Sequence, residues 1–398
     1  MGPAWKCVAV ASLSCGWFSA GCTFYTACPA PDPGSTAGTG TGTGGAGTGG
    51  TNGTAGSNPI AMSPHEGEPW VNITSNLAGL DSECGNMTNV TAKPDEDMLI
   101  AGIAMRGLWS STDGGETWVE LGQTKDSEKV TNRTIRITFD PENSQRWWEN
   151  GIYNAPGLFR TDDNGATLVS LGNVFHNDFL SIDFTDPERK VMLAGGHEQV
   201  RTLYKSVDGG ETFTQIGENV PKDAVPSSFP YVIDANTYLL GGYPYGSDLV
   251  TGILRTTDGG DTWDRITEDG GYYDPLRASD GSIYWSSGLD GGMVRSEDDG
   301  ETWTRVTGPN VLMSLHPIEL PDGRIASVDA NKRYIVVSDD HGDTWSAVTP
   351  RLPYVPYGID YSAQRKAFII WYFTCNGQDN SPVADDAIMS FGFDYQAE

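Results

Sequence analysis

The chain carries 398 residues, with 53 Asp and Glu against 25 Lys and Arg, a formal charge of −28. A surface this acidic repels phosphate backbones and anionic lipid headgroups, so nucleic acid is set aside as a partner. Hydrophobic residues make up 38% and include 12 Trp, enough apolar mass for a sizeable core, and the length alone does not demand two folded domains.

The N-terminus reads as targeting. Lys6 supplies a positive charge, and the apolar run CVAVASLSCGWFSA over 7–20 is too short to span a membrane as a stable helix. Ser19, Ala20 and Gly21 then precede Cys22. This resembles a bacterial lipoprotein signal, which implies removal of residues 1–21 and a lipid on Cys22. Ser19 stands where that pattern usually has Leu, and simple secretion is the alternative. Residues 22–66 are rich in Gly, Thr and Pro. Such a segment buries no apolar surface and is expected to be a flexible tether. Its GxGxxG matches follow from composition, because no strand precedes them and no helix follows. The folded part is therefore expected at 67–398.

Within it one pattern recurs six times: STDGGETW from Ser111, TDDNGATL from Thr161, SVDGGETF from Ser206, TTDGGDTW from Thr256, SEDDGETW from Ser296 and SDDHGDTW from Ser338. The third-position aspartates are Asp113, Asp163, Asp208, Asp258, Asp298 and Asp340, at intervals of 50, 45, 50, 40 and 42. That period suits one four-stranded unit per repeat. The Asp side chain can accept N–H bonds across a tight turn, the fifth-position Gly can take positive φ, and the aromatic after Thr can pack between neighbouring units. Calcium loops are the competing reading of the acidic run, but the glutamate expected at loop position twelve does not recur. No metal or cofactor is expected.

The repeat resembles the Asp box, the bacterial neuraminidase repeat found in the propellers of sialidases, sortilins, xyloglucan-cleaving glycosidases and the photosystem II assembly factor. The resemblance covers about residues 68–398 and implies an all-β propeller of four-stranded antiparallel blades, with the box serving folding at the outer edge. It carries over no catalytic residue. The sialidase Arg-Ile-Pro motif is absent: Arg106 sits in MRGLW and Arg136 in TIRIT. The xyloglucan-cleaving relatives use carboxylates between two tandem propellers, and this chain has room for one.

After Trp345 three strands remain, GIDYSAQ, AFIIWYFT and DAIMSFGFD, while PWVNIT at 69–74 resembles an outer strand. The expectation is thus seven blades, the N-terminal strand completing the last; six is the alternative. Such closure removes exposed sheet edges. It also places Cys84 and Cys375 in loops on one face, where a disulfide would lock the seam, as export permits.

That face is also where a propeller's ligands bind. Its loops contribute the candidate ligand residues Arg106, Tyr153, His176, His197, Arg201, Tyr243, Tyr245, Tyr272, Arg333 and Tyr354. Aromatic platforms with a few polar groups suit sugars or peptide segments. The expected function is an exported, lipid-anchored, monomeric protein of the cell envelope, binding a glycan or an extracytoplasmic protein at the channel mouth. The alternative is a glycoside hydrolase, sialidase-like or otherwise exo-acting, with its acid and base among Asp248, Asp290, Asp329 and Asp379.

Overall fold

The computed structural model describes residues 63–154, 156–224, 229–242, 252–287, 292–306, 315–376 and 380–395. The presumed signal, Cys22 and nearly all of the tether lie outside them. Seven four-stranded antiparallel sheets form a seven-bladed β-propeller. The innermost strands are Asn89–Ala92, Arg133–Asp140, Asn177–Ile182, Phe229–Val232, Tyr272–Arg277, Ile318–Glu319 and Gly358–Ser362, in blades 1 to 7. The six-bladed alternative is excluded by the last sheet. There Gly358–Ser362, Ala367–Trp371 and Ile388–Gly392 are completed by the N-terminal strand Val71–Asn72, in the register Val71↔Ser390 and Asn72↔Met389.

The core is a belt of layers between blades. Strand alternation feeds two layers from one strand. On the second strand of blade 2, Trp147 packs with Ile100 and Leu108 of blade 1, while its neighbour Trp148 packs with Leu180 and Met192 of blade 3. In blade 5, Tyr284 joins the layer toward blade 6 and Trp285 the layer toward blade 4. Fully burying a large side chain contributes about 1.5–3 kcal/mol, so both tryptophans of the Trp147–Trp148 pair count toward blade stacking.

The six aspartate turns join third and fourth strands and are built alike. The first-position hydroxyl donates to the carboxylate at 2.7–2.8 Å and accepts the glycine N–H, at 2.7 Å from Gly115. The same carboxylate oxygen accepts the Thr N–H at 2.8–2.9 Å. Gly115 needs its lack of a side chain twice over: φ is +89°, and a Cβ would lie 2.7 Å from the carbonyl oxygen of Ile73. Trp118, which ends that turn, donates its indole N–H to the same Ile73 oxygen at 3.0 Å. The first turn thereby grips the strand that closes the ring.

The seam is tied once more on the opposite face. Cys84, in the loop from blade 7 into blade 1, is disulfide-bonded to Cys375, between the second and third strands of blade 7.

Candidate functional site

Three inner strands depart from regular pairing. The register shifts between Thr134 and Arg136 in blade 2, between Asn177 and Phe179 in blade 3, and between Tyr272 and Leu276 in blade 5. The inner strands of blades 1, 4, 6 and 7 pair without a shift. Bulges re-aim side chains and gather beside functional sites. Three of the shifts fall at or beside Arg136, Asp178 and Asp274, and a fourth, between Phe139 and Asp140, lies at the far end of the blade 2 inner strand.

At the mouth, Tyr153, His176 and His197 come together from blades 2 and 3. The rings of His176 and His197 lie 4.6 Å apart at 90°, and Tyr153 lies 4.7 Å from His176 and 5.4 Å from His197. Buried Asp178 holds His197 Nδ1 at 2.6 Å. A carboxylate only accepts, so Nδ1 carries the proton and, in the neutral ring, Nε2 is left to accept from the Tyr153 hydroxyl 3.2 Å away. The Tyr153 backbone N–H donates to His176 Nδ1 at 3.0 Å, which puts the His176 proton on Nε2. Burial, with His197 and Arg133 adding to it against Asp178, pushes His176 down to about 4, and it is neutral at pH 7.

This arrangement holds bulky residues in left-handed backbone. Tyr153 has φ +56°, Asn154 +42°, His176 +63° and Glu198 +53°. Such conformations cost of order 1–3 kcal/mol each and persist where surroundings over-determine them. The Arg133 guanidinium lies 4.7 Å above the Tyr153 ring. It pairs with Glu83 at 3.4 Å and donates to the carbonyl of Cys84, while Asn154 Nδ2 bonds both Glu83 oxygens at 3.1 Å. The disulfide loop is therefore the back wall of the site.

A second cluster bridges the hub. Arg136 Nη1 of blade 2 lies 2.7 Å from His316 Nε2, at the entry to blade 6, and 2.9 Å from Asp274 Oδ2 of blade 5. The carboxylate is an ion-pair partner lying off the N–H direction, since Asp274 Oδ2 gains no hydrogen bond from it. Burial raises the Asp274 carboxyl, but Arg136 and His316 outweigh it and leave it below its usual range. Burial and Arg136 push His316 down to about 4 against the pull of Asp274. Tyr357 is pushed up to about 12, by burial first and Asp178 second, with Arg133 opposing and Asp274 adding. Both clusters thus share one electrostatic environment.

Other candidates go elsewhere. Arg201 donates to the carbonyls of Val220 and Glu218, and Arg333 to that of Leu352 at 2.7 Å. Arg106 Nε donates to the Asp81 carbonyl at 2.6 Å. The Tyr354 hydroxyl is shared between the carbonyls of Ile370 and Ala387. Tyr272 is buried in the inner strand of blade 5. Asp329, in its hairpin, accepts the Lys332 N–H at 3.0 Å. Tyr243, Tyr245, Asp248, Asp290 and Asp379 lie outside the described residues.

Sequence reasoning passed over Glu83, Arg133, Asp274 and Glu149, and dismissed Arg136 for lacking a family motif. Glu149 is fully buried on the second strand of blade 2, where desolvation pushes it up to about 8 and Asn132 donates to it at 3.1 Å. A cleft of about 280 Å³ opens away from the hub, between the outer strand of blade 1 and the 122–130 loop, lined by Glu120, Gln123, Glu128 and Lys129. Among the described residues no group of three or more His, Cys, Asp or Glu could hold a metal ion. None of the described helices is long and apolar enough to cross a membrane.

No protein-family model matches the chain, and no curated protein matches its sequence. Solved structures do resemble it. YCF48 bound to D1 peptide aligns with a TM-score of 0.54 at 14% identity, over 85% of this chain and 99% of that one. The extracellular domain of a hybrid two component system from B. thetaiotaomicron gives 0.53 at 11%, over 77% of this chain and 40% of that one. The GH74 xyloglucanase from Xanthomonas campestris gives 0.50 at 14%, over 81% and 53%. At such identities the likeness is one of fold.

Proposed function

We propose that this chain is an exported, lipid-anchored binding module whose channel mouth takes a segment of an extracytoplasmic protein. One observation carries the reading. Met105, Phe175, Val200 and Val355 are large apolar residues 44–53% exposed, and all four stand on loops of the mouth face, around the Tyr153–His176–His197 cluster. Exposed apolar groups beside fixed polar ones suit a peptide, whose side chains need the former and whose amides need the latter. The peptide bound to YCF48 and the extracellular placing of the sensor domain support the same reading. The acidic chain, at −28, favours a partner segment of basic character. Cys22 carries the lipid, and residues 22–66 let the ring reach away from the membrane.

The test is binding of residues 63–398 to arrayed extracytoplasmic peptides and to arrayed glycans. Peptide capture that falls about tenfold or more on Phe175→Ser, the order expected of an interface anchor, supports the reading. Glycan capture alone, or hydrolysis of a glycan, replaces it with the sugar-binding or glycosidase alternative.

A further inference from the structure

We propose that Tyr153 is an activated phenol, a nucleophilic site at the channel mouth for electrophilic acyl or sulfonyl donors, with His197 as its base and Asp178 as the positioning residue. This does not rest on the peptide reading; either can fail alone.

An ordinary tyrosine gives up its proton near pH 10 and is a poor nucleophile at neutral pH. It becomes reactive when a base sits within hydrogen-bond reach and a third group orients that base. Those three positions are filled here. Tyr153 Oη is 3.2 Å from His197 Nε2, and His197 Nδ1 is 2.6 Å from Asp178 Oδ1. The Arg133 guanidinium faces the phenol ring from 4.7 Å, where its charge favours the phenolate. The bulge at Asp178 aims the carboxylate under the ring. Tyr153 itself is held in left-handed backbone at φ +56° by the bond to His176. It is half-buried and its neighbour Asn154 is exposed, so the site opens to solvent.

The step balances as follows. The Tyr153 O–H proton passes to His197 Nε2 as Oη bonds to the electrophilic carbon or sulfur. The leaving group departs with its bonding electrons. The imidazolium, facing Asp178, then returns its proton to solvent.

An aryl sulfonyl fluoride is the probe: the O–S bond forms, the S–F bond breaks, and fluoride leaves. The chain has 16 Tyr, and half-buried Tyr204 on the third strand of blade 3 serves as comparator. Peptide mapping by mass spectrometry should show Tyr153 labelled on the order of 10²-fold faster than Tyr204, the lower range for a positioned base. His197→Gln should remove that advantage and leave Tyr204 unchanged. Asp178→Asn should weaken it, and should also change the pH profile of labelling, which a packing role would leave alone. In the wild-type chain the Tyr153 rate should level off below the phenol range, while that of a free tyrosine amide keeps climbing toward pH ~10. If His197→Gln unfolds the ring, seen as new labelling of buried Tyr238 and Tyr284, the wild-type profile decides. Equal labelling of Tyr153 and Tyr204, an unaltered rate in folded His197→Gln, or a Tyr153 profile climbing like that of the free tyrosine amide would each overturn the proposal.

Discussion

The rim and the hub of this propeller obey different rules. At the rim, six turns repeat one set of hydrogen bonds, and each is complete within eight residues of sequence. At the hub the repeat is broken, and the three shifted inner strands are the ones that bring Arg136, Asp178 and Asp274 to the channel. The repeated part gives six of the seven blades the same outer turn, while the N-terminal strand closes the seventh. Only the departures can distinguish one blade from another, so that is where a specific site can form.

The largest effect is expected at the seam between blades 7 and 1. The 84–375 disulfide spans 291 residues of chain, and replacing both cysteines with Ala should cost roughly 2–5 kcal/mol, read as a lowered urea midpoint. A loss well under that range would show that the Val71–Asn72 strand closes the ring unaided. The same variant loosens the Cys84 carbonyl that Arg133 holds, so the hub should feel the change before the rim does.

Acid separates the two regions more finely. His176 and His316 fall from 6.5 to about 4 in the folded chain. The unfolded chain then binds protons that the folded one refuses, so these two histidines withdraw stability as pH falls from about 6.5 to 4, against buried Glu149, which adds stability as pH falls from about 8 to 4.5. Asp113, Asp208 and Asp258 are lowered from 3.8 to about 2, first by the hydroxyls of Thr117, Thr212 and Thr262. Their contribution is present above about 3.8 and is lost as pH falls through about 2. Thermal melting from pH 7 to 2 should therefore show two limbs. His176→Gln with His316→Gln should flatten the upper limb alone; flattening of both, or of neither, would erase the distinction.

The sequence showed the rim because the rim is local: hydroxyl, aspartate, glycine and threonine lie within seven residues and bond to each other. It showed the seam because an unpaired outer strand and two cysteines had to go somewhere. Loop position also brought Tyr153, His176 and His197 into view. The hub cluster was hidden, since Arg136, Asp274 and His316 come from three blades and no composition marks a bulge. Arg201 and Arg333 looked like ligand contacts because they are cations on mouth loops. Both take left-handed backbone, at φ +55° and +63°, and each reaches a carbonyl 19 residues onward. Among the described residues that recurrence shows in two blades, and no pattern in the sequence marks it.

The central claim is that recognition belongs to the broken hub. Hydrogen–deuterium exchange of the ring with and without a captured partner tests it most directly. The account predicts slowed exchange at 150–154, 174–178 and 195–202, with the six aspartate turns unchanged; slowing confined to those turns or to the blade 1 cleft would contradict it.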